Sequence, residues 1–251
     1  MPGSGVPKVR LDALLVERGL APTRQKAQAL VLAGRVRVDG QVVDKPGKLV
    51  AGDAQVTVEA PEHPWVSRGG VKLAGALEFF GVSPEGKRCL DVGASTGGFT
   101  HVLLARGARE VVAVDVGKGQ LDWSLRQDPR VRVVEGINAR YLQPEDVGGG
   151  CFQLVTVDVS FISVTLVLPR LLPLLAPEGL LCVLVKPQFE VGKGHVGKGG
   201  VVRDPQLREA AIQRVIAEAQ ALGLEVVSRC PSPLPGPAGN LEEFLLLKAK
   251  A

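Results

Sequence analysis

The run Cys89-Leu90-Asp91-Val92-Gly93-Ala94-Ser95-Thr96-Gly97-Gly98-Phe99-Thr100 joins an apolar strand to an amphipathic helix through a loop of glycines and small residues. Such a loop lets the backbone turn sharply and lets a ligand approach the main chain closely. Its spacing, G-x-x-x-G-G, is not the G-x-G-x-x-G that seats a pyrophosphate on a helix N-terminus. The chemistry it suits is the binding of a nucleoside cofactor without phosphates, S-adenosylmethionine; the plain alternative is a structural strand-to-helix turn. Candidate contacts are Asp91, Gly93, Ala94, Ser95, Thr96, Gly97, Gly98, Phe99 and Thr100. A second apolar strand at 110–115 ends in Asp115, and an acid at that point in a doubly wound sheet takes ribose hydroxyls, unless it merely caps the strand. Val116 beside it, Asn138 after a third strand and Asp158 after a fourth complete the expected cofactor set.

Lys186 ends a fifth apolar strand at 180–185. A lysine held among apolar residues is driven toward its neutral form and can deprotonate a hydroxyl, with Asp158 to orient it. The alternative is an exposed lysine at a strand end. Asp158-Val159-Ser160-Phe161 lacks the prolines that amino-nitrogen methylases carry at this point. Carbon-5 pyrimidine methylation needs a nucleophilic cysteine near that loop, and Cys151 precedes the strand instead.

The elements that must position these residues read as alternating strands and helices, the signature of a parallel sheet covered on both faces. Strands are expected at 131–134, 152–158, 180–185, 224–227 and 243–247, with a long amphipathic helix at 204–222. Acids and bases at the strand tips then share one edge of the sheet, where open α/β sheets bind ligands. The chain of 251 residues is 45% hydrophobic, enough for one large domain and a small one. Its four cysteines are scattered without C-x-x-C spacing, which reads as reduced core thiols in a cytoplasmic protein and no metal site. The apolar region 164–185 is broken by Arg170, Glu178 and three prolines and makes a helix, turn and strand rather than a membrane span. Residues 192–198 match two glycine-rich phosphate motifs, but neither opens into a helix and Gly199 stands where a magnesium-binding Ser/Thr belongs. Residues 191–203 read as a basic lid or a plain loop, with His195 a bystander.

Net charge is +4, and residues 1–60 hold nine Lys/Arg against six Asp/Glu. Here a short helix at 10–18, a second at 24–33 capped by Thr23, and a hairpin around Asp39-Gly40 follow one another. Arg24, Lys26, Arg35 and Arg37 line one rim, with Arg10, Lys45 and Arg68 as further candidates for RNA phosphates. The run T-R-Q-K-A-x-x-L-V-L-A-G-R-V-R-V-D-G resembles the S4 RNA-binding domain. No aromatic stacking surface is present, so recognition through RNA backbone and shape is expected. The domains are expected at 1–60 and 67–251, joined by a proline-rich linker at 61–66 whose Trp65-Val66 docks onto the larger one.

Lys72 in S-R-G-G-x-K-L, Asp158 in D-x-S-F-I-S, Lys186 in V-K-P-Q-F-E-x-G-K-G and Glu242 after Gly239-Asn240 follow the order of the catalytic tetrad of FtsJ-type ribose 2′-O-methyltransferases. With an S4 domain in front, the whole chain is similar to the TlyA, or haemolysin A, family. The resemblance implies an α/β, Rossmann-like methyltransferase fold with a seven-stranded, mostly parallel sheet behind a small α+β S4 domain. It implies 2′-O-methylation of cytidine in ribosomal RNA, with Lys186 taking the hydroxyl proton, Lys72 and Glu242 positioning it, and Asp158 completing the set. An S4-type ribosome-assembly protein without methylase activity and a membrane-lytic protein are the alternatives; oligomeric state and target nucleotide are left open.

Overall fold

The computed structural model describes residues 7–59 apart from 33, and residues 63–250 apart from 193, 195 and 198. Two compact units divide the chain, Met1–Pro64 and Trp65–Ala251. The first holds β1 (Lys8–Arg10), α1 (Leu11–Glu17), α2 (Arg24–Leu32), β2 (Val36–Val38), β3 (Gln41–Val42), β4 (Leu49–Ala51) and β5 (Val56–Val58). Leu11, Leu14 and Leu15 recur at helical spacing, so α1 buries one face against Ala27 and Val31 of α2 and against Val36 and Val50. Thr23 caps α2 by accepting from the Lys26 backbone N–H at 3.2 Å. Asp39 and Gly40 both take positive φ, which matches the twist of the β2–β3 hairpin. Strands β1, β4 and β5 went unread in the sequence, because three residues are too few to display a period. They pair as β1–β4 and as the β5 edge of a three-stranded sheet.

The second unit runs α3 (Arg68–Phe80), β6 (Arg88–Val92), α4 (Gly98–Ala105), β7 (Glu110–Asp115), α5 (Trp123–Arg126), β8 (Val131–Glu135), β9 (Phe152–Val157), α6 (Leu168–Leu171), β10 (Leu175–Val185), α7 (Pro187–Glu190), α8 (Pro205–Ala221), β11 (Leu224–Pro231) and β12 (Glu243–Ala249). Its seven-stranded sheet has the order β11-β12-β10-β9-β6-β7-β8. The five strands from β10 to β8 are parallel, and β12 runs antiparallel between β10 and β11. This is a Rossmann-like sheet, buried on both faces, which is why Val111 to Val114 read as a continuous apolar run. Chain order reverses between β6 and β9, and the C-terminal ends of those two strands open the crevice where such sheets bind ligands.

Several boundaries differ from the sequence reading. Strand β10 begins at Leu175, with a register shift before Leu180, and β11 extends to Pro231. The helix expected ahead of β10 is one turn, α6, flanked by 3₁₀ turns, because Pro169 and Pro173 interrupt it. Asp204 caps α8 by accepting from Gln206 N–H, with Pro205 as its first residue. Trp65 and Val66 belong to the larger unit: the indole packs edge-on to His101 at 5.3 Å, whose Nδ1 accepts from Val66 N–H. Residues 61 and 62 of the expected linker, and His195, lie outside the described residues. Cys89, Cys182 and Cys230 are buried free thiols, and burial pushes Cys89 up to about 12; Cys151 is exposed.

Candidate active site

Two loops at the crevice are held together by glycines. Gly93 has φ +86°, and a Cβ there would overlap the Asp158 carbonyl oxygen, so the loop after β6 lies directly against the end of β9. At Gly98 a Cβ would overlap Ser67 Oγ and the Gly70 nitrogen, so the start of α4 is seated on the start of α3. The first contact brings Asp158 to the loop, and the second brings Lys72 to the same edge.

Two cavities open there. One, of about 200 Å³, is walled by Ser67, Arg68, Gly69 and Lys72 on one side, by Asp158, Ser160 and Lys186 on the other, and by Pro235 and Pro237. The second, of about 510 Å³, extends from Asp115, Val116 and Gly117 to Ile137, Asn138 and Ala139 and is flanked by Phe161. Gly93, Ser95, Asp158 and Ser160 line both, so the cavities adjoin at the tip of β9.

Four charged side chains stand as two pairs. Lys72 Nζ donates to Glu242 Oε2 at 2.5 Å, with the side chains 8% and 1% exposed. Gln188 Nε2 donates to the other Glu242 oxygen at 3.4 Å. Lys186 Nζ lies 2.5 Å from Asp158 Oδ1 and donates to Ser160 Oγ at 2.8 Å. The Lys186–Asp158 contact is off the line of a good hydrogen bond and acts as an ion pair: the buried Asp158 Oδ1 has no hydrogen-bond donor among the described residues. Lys72, Asp158 and Lys186 face the smaller cavity, while Glu242 stands behind Lys72.

Of the residues expected to hold a cofactor, Gly93, Ala94, Ser95, Thr96, Gly98 and Phe99 line the smaller cavity, and Asp115, Val116 and Asn138 line the larger. The Asp115 carboxylate accepts from Ser95 and Gly117 N–H groups, each at 2.7 Å, which braces the two loops and leaves a lone pair on each oxygen. Asp91, Gly97 and Thr100 line neither cavity. Asp91 is wholly buried and accepts hydroxyl hydrogens from Thr100 at 2.7 Å and Thr156 at 3.1 Å. Burial pushes its carboxyl up to about 7, against the pull of those two hydroxyls. A Cβ on Gly97 would overlap Leu121 and Leu125, so that residue is covered by apolar side chains.

The sequence reading passed over Pro235 and Pro237, although the P-S-P-L-P-G-P run announces a stiff segment. It also passed over Gln120, Ile137 and Ser160 in the cavity walls and Gln188 behind Glu242. Phe161 stands 92% exposed at positive φ, its ring 5.3 Å from that of Phe189. Asn240, wholly interior, accepts from Val202 N–H and donates to the Gly200 carbonyl, fastening the end of the 191–203 loop. Among the residues expected to meet RNA, Arg68 lines the mouth of the smaller cavity, and Lys26 and Lys45 are exposed. Arg10 and Arg24 pair with Asp12, while Arg35 and Arg37 converge on Glu59.

The FtsJ-like methyltransferase profile matches residues 65–250 and the S4 domain profile matches residues 9–56. The chain is 55% identical over 244 residues to the 16S/23S rRNA (cytidine-2′-O)-methyltransferase TlyA of Mycobacterium tuberculosis, covering 97% of this chain and 91% of that one. It is 41% identical over 235 residues to Hemolysin A of Brachyspira hyodysenteriae, covering 93% and 97% of the two chains. A solved structure named as a hemolysin from Streptococcus thermophilus aligns at a TM-score of 0.75 and 42% identity, over 98% of this chain and 90% of that one. With its Rossmann-like sheet, its paired lysines and acids at the crevice and its small N-terminal unit, the chain belongs to the FtsJ-like methyltransferases of the TlyA type, which carry an S4 domain in front.

Proposed function

We propose that this protein transfers a methyl group from S-adenosylmethionine to the 2′-hydroxyl of a cytidine ribose in ribosomal RNA, in the cytoplasm. The observation that carries the reading is the shared wall of the two cavities. A donor in the larger and a ribose in the smaller meet at Asp158, beside Lys186. The larger cavity suits the donor: its volume falls in the range of small-molecule sites, about 300–1,000 Å³. Its rim offers the free lone pairs of Asp115 for ribose hydroxyls, and its wall is acidic where a cation would sit. When bound, S-adenosylmethionine supplies an electrophilic methyl group on a positively charged sulfur. Lys186, ion-paired in the resting site, gives up its ammonium proton to solvent and then accepts the 2′-hydroxyl proton; Asp158 balances the restored charge, and Lys72, fixed by Glu242, holds the ribose oxygen in place. The chain thus contributes orientation and electrostatics more than covalent chemistry.

The cytidine and the ribosomal substrate are carried over from the relative's name, and the S4 match supports an RNA partner. The hemolysin names imply a membrane activity, yet no helix among the described residues is long and apolar enough to cross a membrane. Transfer of labelled methyl to ribosomal subunits lacking native modification, followed by digestion to nucleosides, tests the proposal. Label in 2′-O-methylcytidine is the expected outcome. Label on a base refutes the acceptor atom, and donor binding without transfer supports an RNA-binding role alone.

A further inference from the structure

Among the described residues of the small unit, Asp12 is the acid that is wholly buried, and it binds two of the arginines expected to face RNA. Arg10 donates from Nε to Oδ1 at 3.1 Å and from Nη2 to Oδ2 at 2.8 Å. Arg24 approaches through the same two nitrogens, Nε to Oδ2 at 3.3 Å and Nη2 to Oδ1 at 3.4 Å. Gln28, one turn further along α2, donates to Oδ2 at 3.0 Å. A guanidinium carries five N–H donors, and this side-on contact takes two of them. Among the described residues each arginine therefore keeps its Nη1–Nη2 edge free. The two side chains are 48% and 56% exposed, while their shared acid has no exposure. Gly47 leaves room for Arg10, since a Cβ there would stand 3.1 Å from Nη1.

A surface that attracted RNA by charge alone would do better without this carboxylate. It subtracts one positive charge, and its burial opposes ionisation unless well-placed donors offset the lost hydration. The Arg10 guanidinium, ahead of Gln28 and Arg24, holds the Asp12 carboxyl well below the usual carboxylate range, so the acid is charged wherever the protein works. What the acid supplies is orientation. It fixes two long side chains that otherwise lose rotamer freedom on binding. Two fixed Nη1–Nη2 edges match the paired oxygens of phosphate groups.

We infer that Asp12 is a positioning residue for RNA binding: it clamps Arg10 and Arg24 side-on so that their free edges grip backbone phosphates of the substrate. The inference rests on the RNA substrate proposed above. The test is binding of the full chain to unmodified ribosomal subunits, as wild type and as Asp12→Asn, Arg10→Lys and Arg24→Lys, with melting followed by circular dichroism. Asp12→Asn raises the net charge from +4 to +5. A charge-only surface then binds tighter, whereas a positioned pair binds about tenfold weaker, the loss expected from freeing two rotamer-rich side chains. The salt dependence also becomes shallower by about one to two phosphate contacts. KM for subunits rises while kcat at saturation is unchanged. The two lysine variants keep the charge and lose the fork, so each weakens binding as well. Unchanged or tighter binding in the folded variants overturns the inference. Should Asp12→Asn melt the small unit, the lysine variants decide. Absence of wild-type affinity refutes the RNA reading itself, whereas wild-type affinity retained in every variant refutes the role of Asp12 alone.

Discussion

The two units handle charge in opposite ways. At the crevice of the large unit, Lys72 and Glu242 are buried together, and Lys186 and Asp158 are mostly so. In the small unit the acid alone is interior, and Arg10 and Arg24 stand half in water. A pair buried whole keeps its charges at full strength in a poorly screened site, where they act on a reacting atom. An acid buried beneath exposed arginines does the reverse, turning fixed cations outward. On the reading proposed above, the difference separates a site built for chemistry from a surface that presents cations to RNA.

Substitutions can break that contrast at graded cost. Lys186→Ala removes the group assigned to take the proton, and turnover is expected to fall by about 10²–10⁴-fold. Donor affinity should stay within a few fold, which single-turnover assays and calorimetry measure separately; normal turnover would remove Lys186 from the mechanism. Glu242→Gln leaves Lys72 buried beside a neutral partner, at a cost of about 3–5 kcal/mol in denaturant unfolding. Replacing Lys72 and Glu242 together by methionine should recover most of that stability and none of the activity.

Asp91 presents a third arrangement, an interior acid held by two threonine hydroxyls. Its carboxyl is raised to about 7, so the native state holds a proton that the unfolded chain releases near pH 4. Stability from this group is complete below pH 4 and is lost as pH rises through about 7, by about 4 kcal/mol. Asp91→Asn does not titrate, so its stability relative to wild type should climb between pH 4 and 7 and level off above. A constant difference across that range would show that Asp91 is ionised throughout. The smallest effect is expected at Arg37 and Glu59, an exposed pair. Glu59→Gln should change stability by less than about 1 kcal/mol, screened further by salt. A larger change would place that pair with the buried ones.

The strands of the large unit were legible because each is an apolar run ending in a polar residue and a turn. The glycine loop was legible because its spacing is local. Asp91 shows the limit of such local reading: a strand-tip acid looks alike in sequence whether it turns toward the ligand or into the core. Here the hydroxyls of Thr100 and Thr156 receive it inside. The arginines of the small unit were read as candidates for RNA phosphates without an acid partner because Asp12 sits in an apolar helix pattern. Only the packing of α1 on α2 sets it between them.

The sequence by itself determined the alternation of strands and helices, the glycines at the crevice and the acids and bases at the strand ends. These depend on neighbours a few residues apart, through side-chain period and backbone freedom. Tertiary structure decided which charges meet. Lys72 and Glu242 are 170 residues apart and touch because α3 and the segment before β12 reach the same edge of the sheet. The two cavities join at Asp158 because strand order reverses between β6 and β9, bringing Gly93 against the end of β9. Pairings of that kind depend on sheet order, a property of the folded sheet rather than of any local stretch.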